Sequence, residues 1–444
     1  MATALPGPRG LPYVGVFPSF AADPLGFLLR MWRSYGDRVA YRFAGRRVIQ
    51  LSHPDDVDHM LLRAHPHLIK DEVTRGLSMM LGQGLVTSEG AVWKRQRRLA
   101  APSFTKRHVD AYADTMTEVA TQWADAQADG AAVEVHHEML ELSRDIVLRC
   151  LFGARPGPDY DISGPMDQFL EEFRHEAQGV RRVLPRRIPT PGRRRIERAR
   201  RAIDAVVAEL VDQARARGDG DDVLCRLLAA RDDDGAPMAP EQLRDEVVTF
   251  FTAGHETTAI ALTQALDLLG RNGEARARLE AEVDEVLDGR PPTADDLQQL
   301  PYARAVVREV LRMRSPVWAI GREVIDEVEL AGQRFGRGTQ LFVSQWVLHH
   351  DPRWYPDPWA FRPERWLGDL EQQLPRGAFL PFGGGPRVCI GNHFALLETT
   401  LALVVFAQRL RLQLLDWRPI RLEPTVTLRP RDPVPMRIQR RARR

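Results

Sequence analysis

The sequence predicts a mainly α-helical protein with small antiparallel β-sheets, and three observations predict it. Long segments place apolar residues at three- and four-residue spacing, strand signals are short and confined, and proline-rich stretches separate the periodic runs. In chain order, Arg38–Phe43 and Arg47–Leu51 flank an Ala44-Gly45 turn and read as a hairpin. Periodicity predicts helices over Val109–Gln127, Met139–Leu151, Arg198–Arg217, Pro240–Gly270 and Ala275–Leu287, and another containing Ala305–Arg314. Three prolines from Pro185 to Pro191 predict a loop. Val328–Leu330, Thr339–Phe342 and the Thr425–Leu428 region read as later strands. From His350 to Pro386 the chain is rich in Pro, Gly and aromatic residues, and it then enters an apolar helix beginning near Asn392. Long irregular segments of this kind inside a domain are usually functional.

With 444 residues, 44% of them hydrophobic, the chain can bury a sizeable core. It shows no Gly/Ser linker and no internal repeat, so a single domain over 1–444 is expected, with 1–10 and 437–444 flexible. A formal net charge of +2 lacks the basic field of a nucleic-acid binder. Only Lys70, Lys94 and Lys106 are lysines, an arginine bias that fits a GC-rich bacterial genome. Cys150, Cys225 and Cys389 are too few and too dispersed for a disulfide framework or a four-cysteine metal site, which points to a reducing, cytoplasmic setting. The apolar stretch from Tyr13 to Phe20 is broken by Pro18 and too short to span a bilayer. A monomer without a transmembrane segment is expected.

The run Phe382-Gly383-Gly384-Gly385-Pro386-Arg387-Val388-Cys389-Ile390-Gly391 precedes the last helix. A helix N-terminus favours a thiolate through its dipole and free N–H groups. Glycines let the backbone approach a flat macrocycle, Phe382 is suited to cover such a ring, and Arg387 to pair a carboxylate on it. This loop resembles the haem-binding signature of the cytochrome P450 family, Phe-x-x-Gly-x-Arg-x-Cys-x-Gly, at Phe382, Gly385, Arg387, Cys389 and Gly391.

Further motifs follow the same family. Glu309 and Arg312 share a helical face, a spacing that in isolation describes an ordinary surface ion pair. The resemblance instead assigns them to the Glu-x-x-Arg motif, and Pro363 and Arg365 to the Pro-x-Arg motif, so that Glu309, Arg312 and Arg365 form a buried structural triad. Ala253-Gly254-His255-Glu256-Thr257 resembles the oxygen-binding motif. It implies that Ala253 and Gly254 line the oxygen site and that Glu256 and Thr257 deliver protons; a glycine and two threonines mid-helix, poor in helix propensity, predict a local distortion that opens a groove there, and His255 receives no role. Trp93 and Arg97 match Trp-x-x-x-Arg, which binds a haem propionate, and Arg322 stands where many members have another propionate arginine. One departure is visible: His349-His350 precede Asp351-Pro352 where an arginine is common, and these histidines are not expected to form a metal site.

The resemblance therefore implies the cytochrome P450 fold around haem b (iron protoporphyrin IX), with Cys389 as axial iron ligand, and monooxygenation of an apolar small molecule: a terpenoid, fatty acid or steroid-like compound. Electrons would come from a ferredoxin and ferredoxin reductase, since no G-x-G-x-x-G fingerprint or cysteine cluster is present for a fused donor. Lys94, Arg95 and Arg98 are expected to form a docking patch for that acidic partner, and the Arg181–Arg201 cluster a solvated basic face. Family positions place Met79, Met80, Leu85, Phe250, Phe251, Val317, Trp318, Ile320 and Val426 in the substrate pocket, although core packing explains each equally well. A peroxide-dependent haem-thiolate enzyme and a non-catalytic haem carrier or sensor are the alternatives; an intact Glu256-Thr257 pair argues against both.

Overall fold

Alternation of apolar and polar residues in Arg38–Phe43 and Arg46–Leu51 buries Val39, Tyr41 and Val48 on one face, and the two strands pair antiparallel with Arg42 opposite Arg47. The turn between them holds Ala44 at φ 47° and Gly45 at φ 82°. Arg46–Leu51 next pairs with Gln340–Val343, which is followed by Ile320–Val324 and Leu68–Lys70 in one five-stranded sheet. The pairing of Arg46–Leu51 with Gln340–Val343 is parallel, unlike the antiparallel expectation. Its partners lie far apart in the chain, so no local turn signals it. The computed structural model describes residues 5–155, 164–166, 168–169, 171–172, 190–330 and 332–442.

Three smaller sheets are wholly antiparallel. Thr425–Thr427 is the turn between Leu422–Pro424 and Leu428–Pro430, so the strand expected at Thr425–Leu428 is displaced to either side; the Thr425 hydroxyl closes that turn on the Thr427 carbonyl. Pro435–Arg440 pairs with Leu410–Leu414 and Ala132–Glu134. Residues 437–440, expected to be flexible, are thus held by backbone hydrogen bonds, and Arg441 is ion-paired to Asp284 at 2.7 Å. Near the other end, the Ala40 N–H donates to the Pro6 carbonyl at 2.9 Å.

Helices run over Val135–Phe152, Pro191–Arg217, Pro240–Arg271, Gly273–Leu287, Pro301–Met313 and Asn392–Arg409. The expected helix Val109–Gln127 divides at Ala111–Tyr112 into Lys106–Asp110 and Ala113–Ala126, and the Tyr112 hydroxyl donates to the Asp221 carbonyl at the break. Pro185–Pro189 of the expected loop lie outside the described residues. Pro191 is not loop: Thr190 caps the Arg193 N–H, and proline takes the first helical turn, where no N–H is needed.

Two compact units are distinguished. One comprises Met1–Asp71, Met116–Leu142 and Thr257–Arg444, the other Glu72–Thr115 and Ser143–Glu256. In the first, one core cluster packs Ile49, Leu51, Met60, Leu61, Val324, Phe335, Leu341 and Leu380, and a second packs Phe27, Leu28, Val39, Tyr41, Trp318 and Leu428. In the second unit, Phe152 stacks on Phe251 with ring centroids 6.0 Å apart, and Phe104 packs on Phe250 at 5.2 Å.

Candidate functional site

The cysteine loop is built by glycine. Gly383 and Gly385 take φ 70° and 65°, in the left-handed region, and a Cβ on Gly385 would collide with the Leu61 carbonyl. Backbone bonds then fold the loop back. The Gly383 N–H donates to the Leu380 carbonyl at 3.1 Å, the Val388 N–H to the Gly385 carbonyl at 3.1 Å, and the Cys389 N–H to the Phe382 carbonyl at 3.0 Å. Cys389 is exposed three residues ahead of the helix Asn392–Arg409, whereas Cys150 and Cys225 are buried. Phe382, Arg387 and Gly391 are half-buried, and a Cβ on Gly391 would meet nothing within 4 Å. A soft thiol donor beside open glycine backbone, with an arginine two residues away, fits a flat iron macrocycle that carries carboxylates.

Behind the loop, Glu309 and Arg312 are fully buried and paired at 2.8 Å. The Arg312 guanidinium donates to both Glu309 carboxylate oxygens and to the His349 and Pro358 carbonyls. Glu309 also accepts from the Arg362 N–H at 3.0 Å, Arg365 Nε at 3.0 Å and Trp366 Nε1 at 2.8 Å. Burial pushes the Arg365 guanidinium below its ordinary value, and Glu309 opposes that shift. The structure therefore brings Glu309, Arg312 and Arg365 together, with Trp366 as a fourth member that the motif does not contain.

His349 connects this cluster to the cysteine loop. Its Nε2 accepts from the Leu380 N–H at 3.0 Å while Nδ1 lies 3.1 Å from the Arg312 carbonyl, so both contacts need the neutral ring protonated on Nδ1. Burial, with the Arg312 charge added, holds its pKa at about 3 against an ordinary 6.5. The unfolded chain binds the extra proton first. The stability contributed is therefore complete above pH 6.5 and lost as pH falls toward 3, by about 1.4 kcal/mol per pH unit. Urea unfolding between pH 7 and pH 4 is expected to show that slope reduced by this amount in His349→Gln. His350 stacks on Trp359 at 4.0 Å and lies 2.8 Å from the Trp346 carbonyl, so both histidines are packing groups.

The helix Pro240–Arg271 is unbroken over 32 residues, so the distortion expected at Ala253–Thr258 does not interrupt it. Buried Val247, Val248, Phe251, Ala259 and Ile260 outweigh the poor helix propensity of glycine and threonine. Gly254 admits Val147, whose Cγ2 would lie 3.2 Å from a Cβ there. Ala253 is exposed, and Gly254, Glu256 and Thr257 are half-buried, which gives an accessible strip on a mostly buried helix. His255 is core: Nδ1 lies 2.9 Å from the Phe251 carbonyl. The Thr249 and Thr252 hydroxyls, three residues apart, are buried without a hydrogen-bond partner among the described residues. Such orphans take water or ligand. Lone threonines in a helix carry no motif, which is why the sequence does not single them out.

Trp93 is buried and Arg97 half-buried on the helix Gly90–Ala100, whose start is pinned where buried Gln96 accepts from the Ser88 hydroxyl at 2.7 Å. Arg322 lies on the strand Ile320–Val324, its Nη1 donating to the Gly321 carbonyl at 2.7 Å. The candidate pocket residues divide. Met79, Val317 and Val426 are exposed and Ile320 is half-buried, whereas Met80, Leu85, Phe250, Phe251 and Trp318 are buried. Phe251 is occupied by Phe152, and Leu85 is tethered by its N–H to Glu246 at 3.1 Å. Trp318 packs near Phe20 and Phe342 and donates from Nε1 to the Thr425 carbonyl at 3.0 Å, so it braces the turn that displays Val426. Met79 and Met80 border a cleft of about 430 Å³ whose other walls include the charged residues Arg200, Asp204, Glu241, Arg244 and Asp245.

The expected docking patch is largely neutralised. Arg95 donates to Asp232 at 2.7 Å, Gln242 at 2.6 Å and the Pro237 carbonyl at 3.0 Å, and Arg98, exposed like Lys94, is paired to Asp233. In the basic cluster, Arg200 and Arg201 pair with Glu197, and Arg181–Pro189 lie outside the described residues.

The sequence model of the cytochrome P450 family matches residues 5–438. The chain is 37% identical to cyclooctatin synthase of Streptomyces melanosporofaciens over 95% of this chain and 92% of that protein. It is 34% identical to cyclooctat-9-en-7-ol 5-monooxygenase of the same organism, over 91% and 89%. A solved structure of retinoic acid bound cyanobacterial CYP120A1 superposes with a TM-score of 0.85 at 27% identity, covering 99% of this chain and all of that one. Among the described residues no helix is long and apolar enough to cross a membrane.

Proposed function

The chain belongs to the cytochrome P450 family of haem-thiolate monooxygenases, and from that premise we propose that it binds haem b and hydroxylates or otherwise oxidises an apolar small molecule, with O2 and electrons from a ferredoxin and its reductase. The observation that carries this reading is the exposed Cys389 in its glycine-built loop, braced from behind by Glu309, Arg312 and Arg365. The bound haem supplies oxygen activation and insertion. Cys389 holds the iron, and Arg387, Arg322, Arg97 and Trp93 hold the propionates. Phe382 and Gly391 border the ring. Val317, Ile320 and Val426 are the pocket positions that remain available to an apolar substrate. The protein acts as a cytoplasmic monomer.

Glu256, half-buried, collects protons from solvent, and the Thr257 hydroxyl passes them to the oxygen site, accepting at Oγ1 as it donates. Thr257→Ala is therefore expected to lower product formation about a hundredfold or more, the scale of a lost proton-transfer group, while reductant consumption continues. Counting product against NADPH consumed checks it.

As substrate we favour a terpenoid over a fatty acid or steroid. One relative is named for a monooxygenation of an unsaturated alcohol, and the superposed structure holds retinoic acid; both are hydrocarbon skeletons with few polar groups. Reconstitution with ferredoxin, ferredoxin reductase, NADPH and O2 should convert a member of this class to a product heavier by one oxygen. Product formed faster with peroxide than with the ferredoxin system would overturn the proposed electron route.

A further inference from the structure

Apart from that chemistry, one surface of the first unit has an unusual composition. Leu11–Gly15 forms a tight loop in which the Leu11 and Gly15 backbones bond each other at 2.9 Å in both directions. Its tip is apolar and turned to solvent: Tyr13 is 96% exposed and Leu11 59%, with Pro12 and Val14 also exposed. Tyr13 takes φ 61°, a left-handed conformation that a residue with a side chain rarely adopts. The loop is fastened to the hairpin tip by the Ala44 N–H donating to the Val14 carbonyl at 3.0 Å and the Val16 N–H to the Arg42 carbonyl at 2.8 Å. It is therefore a rigid projection.

Cations adjoin it, before the loop in sequence and on the hairpin that it is fastened to. Arg9, Arg42 and Arg47 are exposed, and none has a carboxylate partner among the described residues; Arg42 reaches only the Gly45 carbonyl, at 3.4 Å. Arg42 and Arg47 are also directly opposed across the two strands, an arrangement in which like charges repel. Elsewhere on this chain exposed arginines commonly meet acids, as Arg30 does Asp23 and Arg421 does Asp432. An apolar tip with unpaired arginines beside it is complementary to a surface that offers hydrocarbon beneath negative charge.

We propose that Leu11–Val14, with Arg9, Arg42 and Arg47, forms a docking site for an anionic lipid membrane surface. The arginines meet the headgroups while Leu11, Tyr13 and Val14 enter the interface. This is peripheral binding by a few side chains and is weak and reversible, with a contribution from each arginine of about fivefold in partition coefficient.

The test is co-sedimentation of the purified haem-loaded protein with vesicles of phosphatidylcholine alone and of phosphatidylcholine with phosphatidylglycerol, at low and high salt. Binding is expected on the anionic vesicles, weakened by salt. Leu11→Ser/Tyr13→Ser and Arg42→Gln/Arg47→Gln should each lower it at least fivefold, with unchanged melting temperature and unchanged carbon monoxide spectrum. Arg194→Gln/Arg198→Gln, on the exposed face of the helix Pro191–Arg217, should leave it unchanged. Equal partition onto neutral and anionic vesicles, no sedimentation with either, or loss of binding only in the Arg194/Arg198 variant would each overturn the proposal.

Discussion

Cys389→Ala is expected to yield a protein whose reduced form, exposed to carbon monoxide, lacks the red-shifted Soret band of a thiolate-ligated haem, and which forms no oxygenated product. The effect is total because no other group in the loop offers a soft anionic donor. Cys150 and Cys225 are buried, and burial pushes the Cys225 thiol up, so it does not replace the lost thiolate. The loop itself should survive, since its bonds run between backbone groups and the Cys389 N–H still reaches the Phe382 carbonyl. Far-ultraviolet circular dichroism of the variant should match that of the native chain. A wild-type protein showing the band of histidine ligation would remove the premise.

Glu309→Ala carries the second large effect, and it acts on stability. The carboxylate receives five donors: two from Arg312, one from Arg365, one from Trp366 and one from the Arg362 backbone. Its loss strands the Arg312 guanidinium, which is fully buried, and the Arg365 guanidinium, which is nearly so. Removing one partner of a buried ion pair costs about 3–5 kcal/mol, a large share of the stability of an ordinary domain. Urea denaturation should show a shift of that size, with haem retention after gel filtration falling in parallel. Glu309→Gln should cost less, because an amide oxygen still accepts from Trp366 or Arg365.

How far the sequence revealed this molecule depends on whether the deciding interaction is local. The cysteine loop was legible because Phe382 to Gly391 are consecutive and two of its glycines, Gly383 and Gly385, have a backbone reason that a spacing pattern expresses. Helices with strong periodicity were legible for the same reason, while their ends were set by caps such as Thr190. Pocket lining was not legible: Phe251 and Trp318 carry the same apolar signal whether they face a ligand or a core, and the structure buries both. Charge was misread at Arg95, whose acid, Asp232, lies far along the chain. His349 shows the limit most clearly. The histidine pair before Asp-Pro reads as a neutral departure from pattern, yet its first member bridges the Arg312 carbonyl and the Leu380 N–H.

The contact between Gly385 and the Leu61 carbonyl has a bearing on how this protein is made. Leu61 leaves the ribosome long before Gly385, and the parallel pairing of Arg46–Leu51 with Gln340–Val343 joins segments comparably far apart in the chain. Contacts of such high order form slowly, because the loop entropy must be overcome before they reward the chain. The strand Arg46–Leu51 must therefore wait, unpaired on that edge, until Gln340–Val343 has been made. A chain truncated before Gln340 leaves that edge open and should be a substrate for chaperones and proteases.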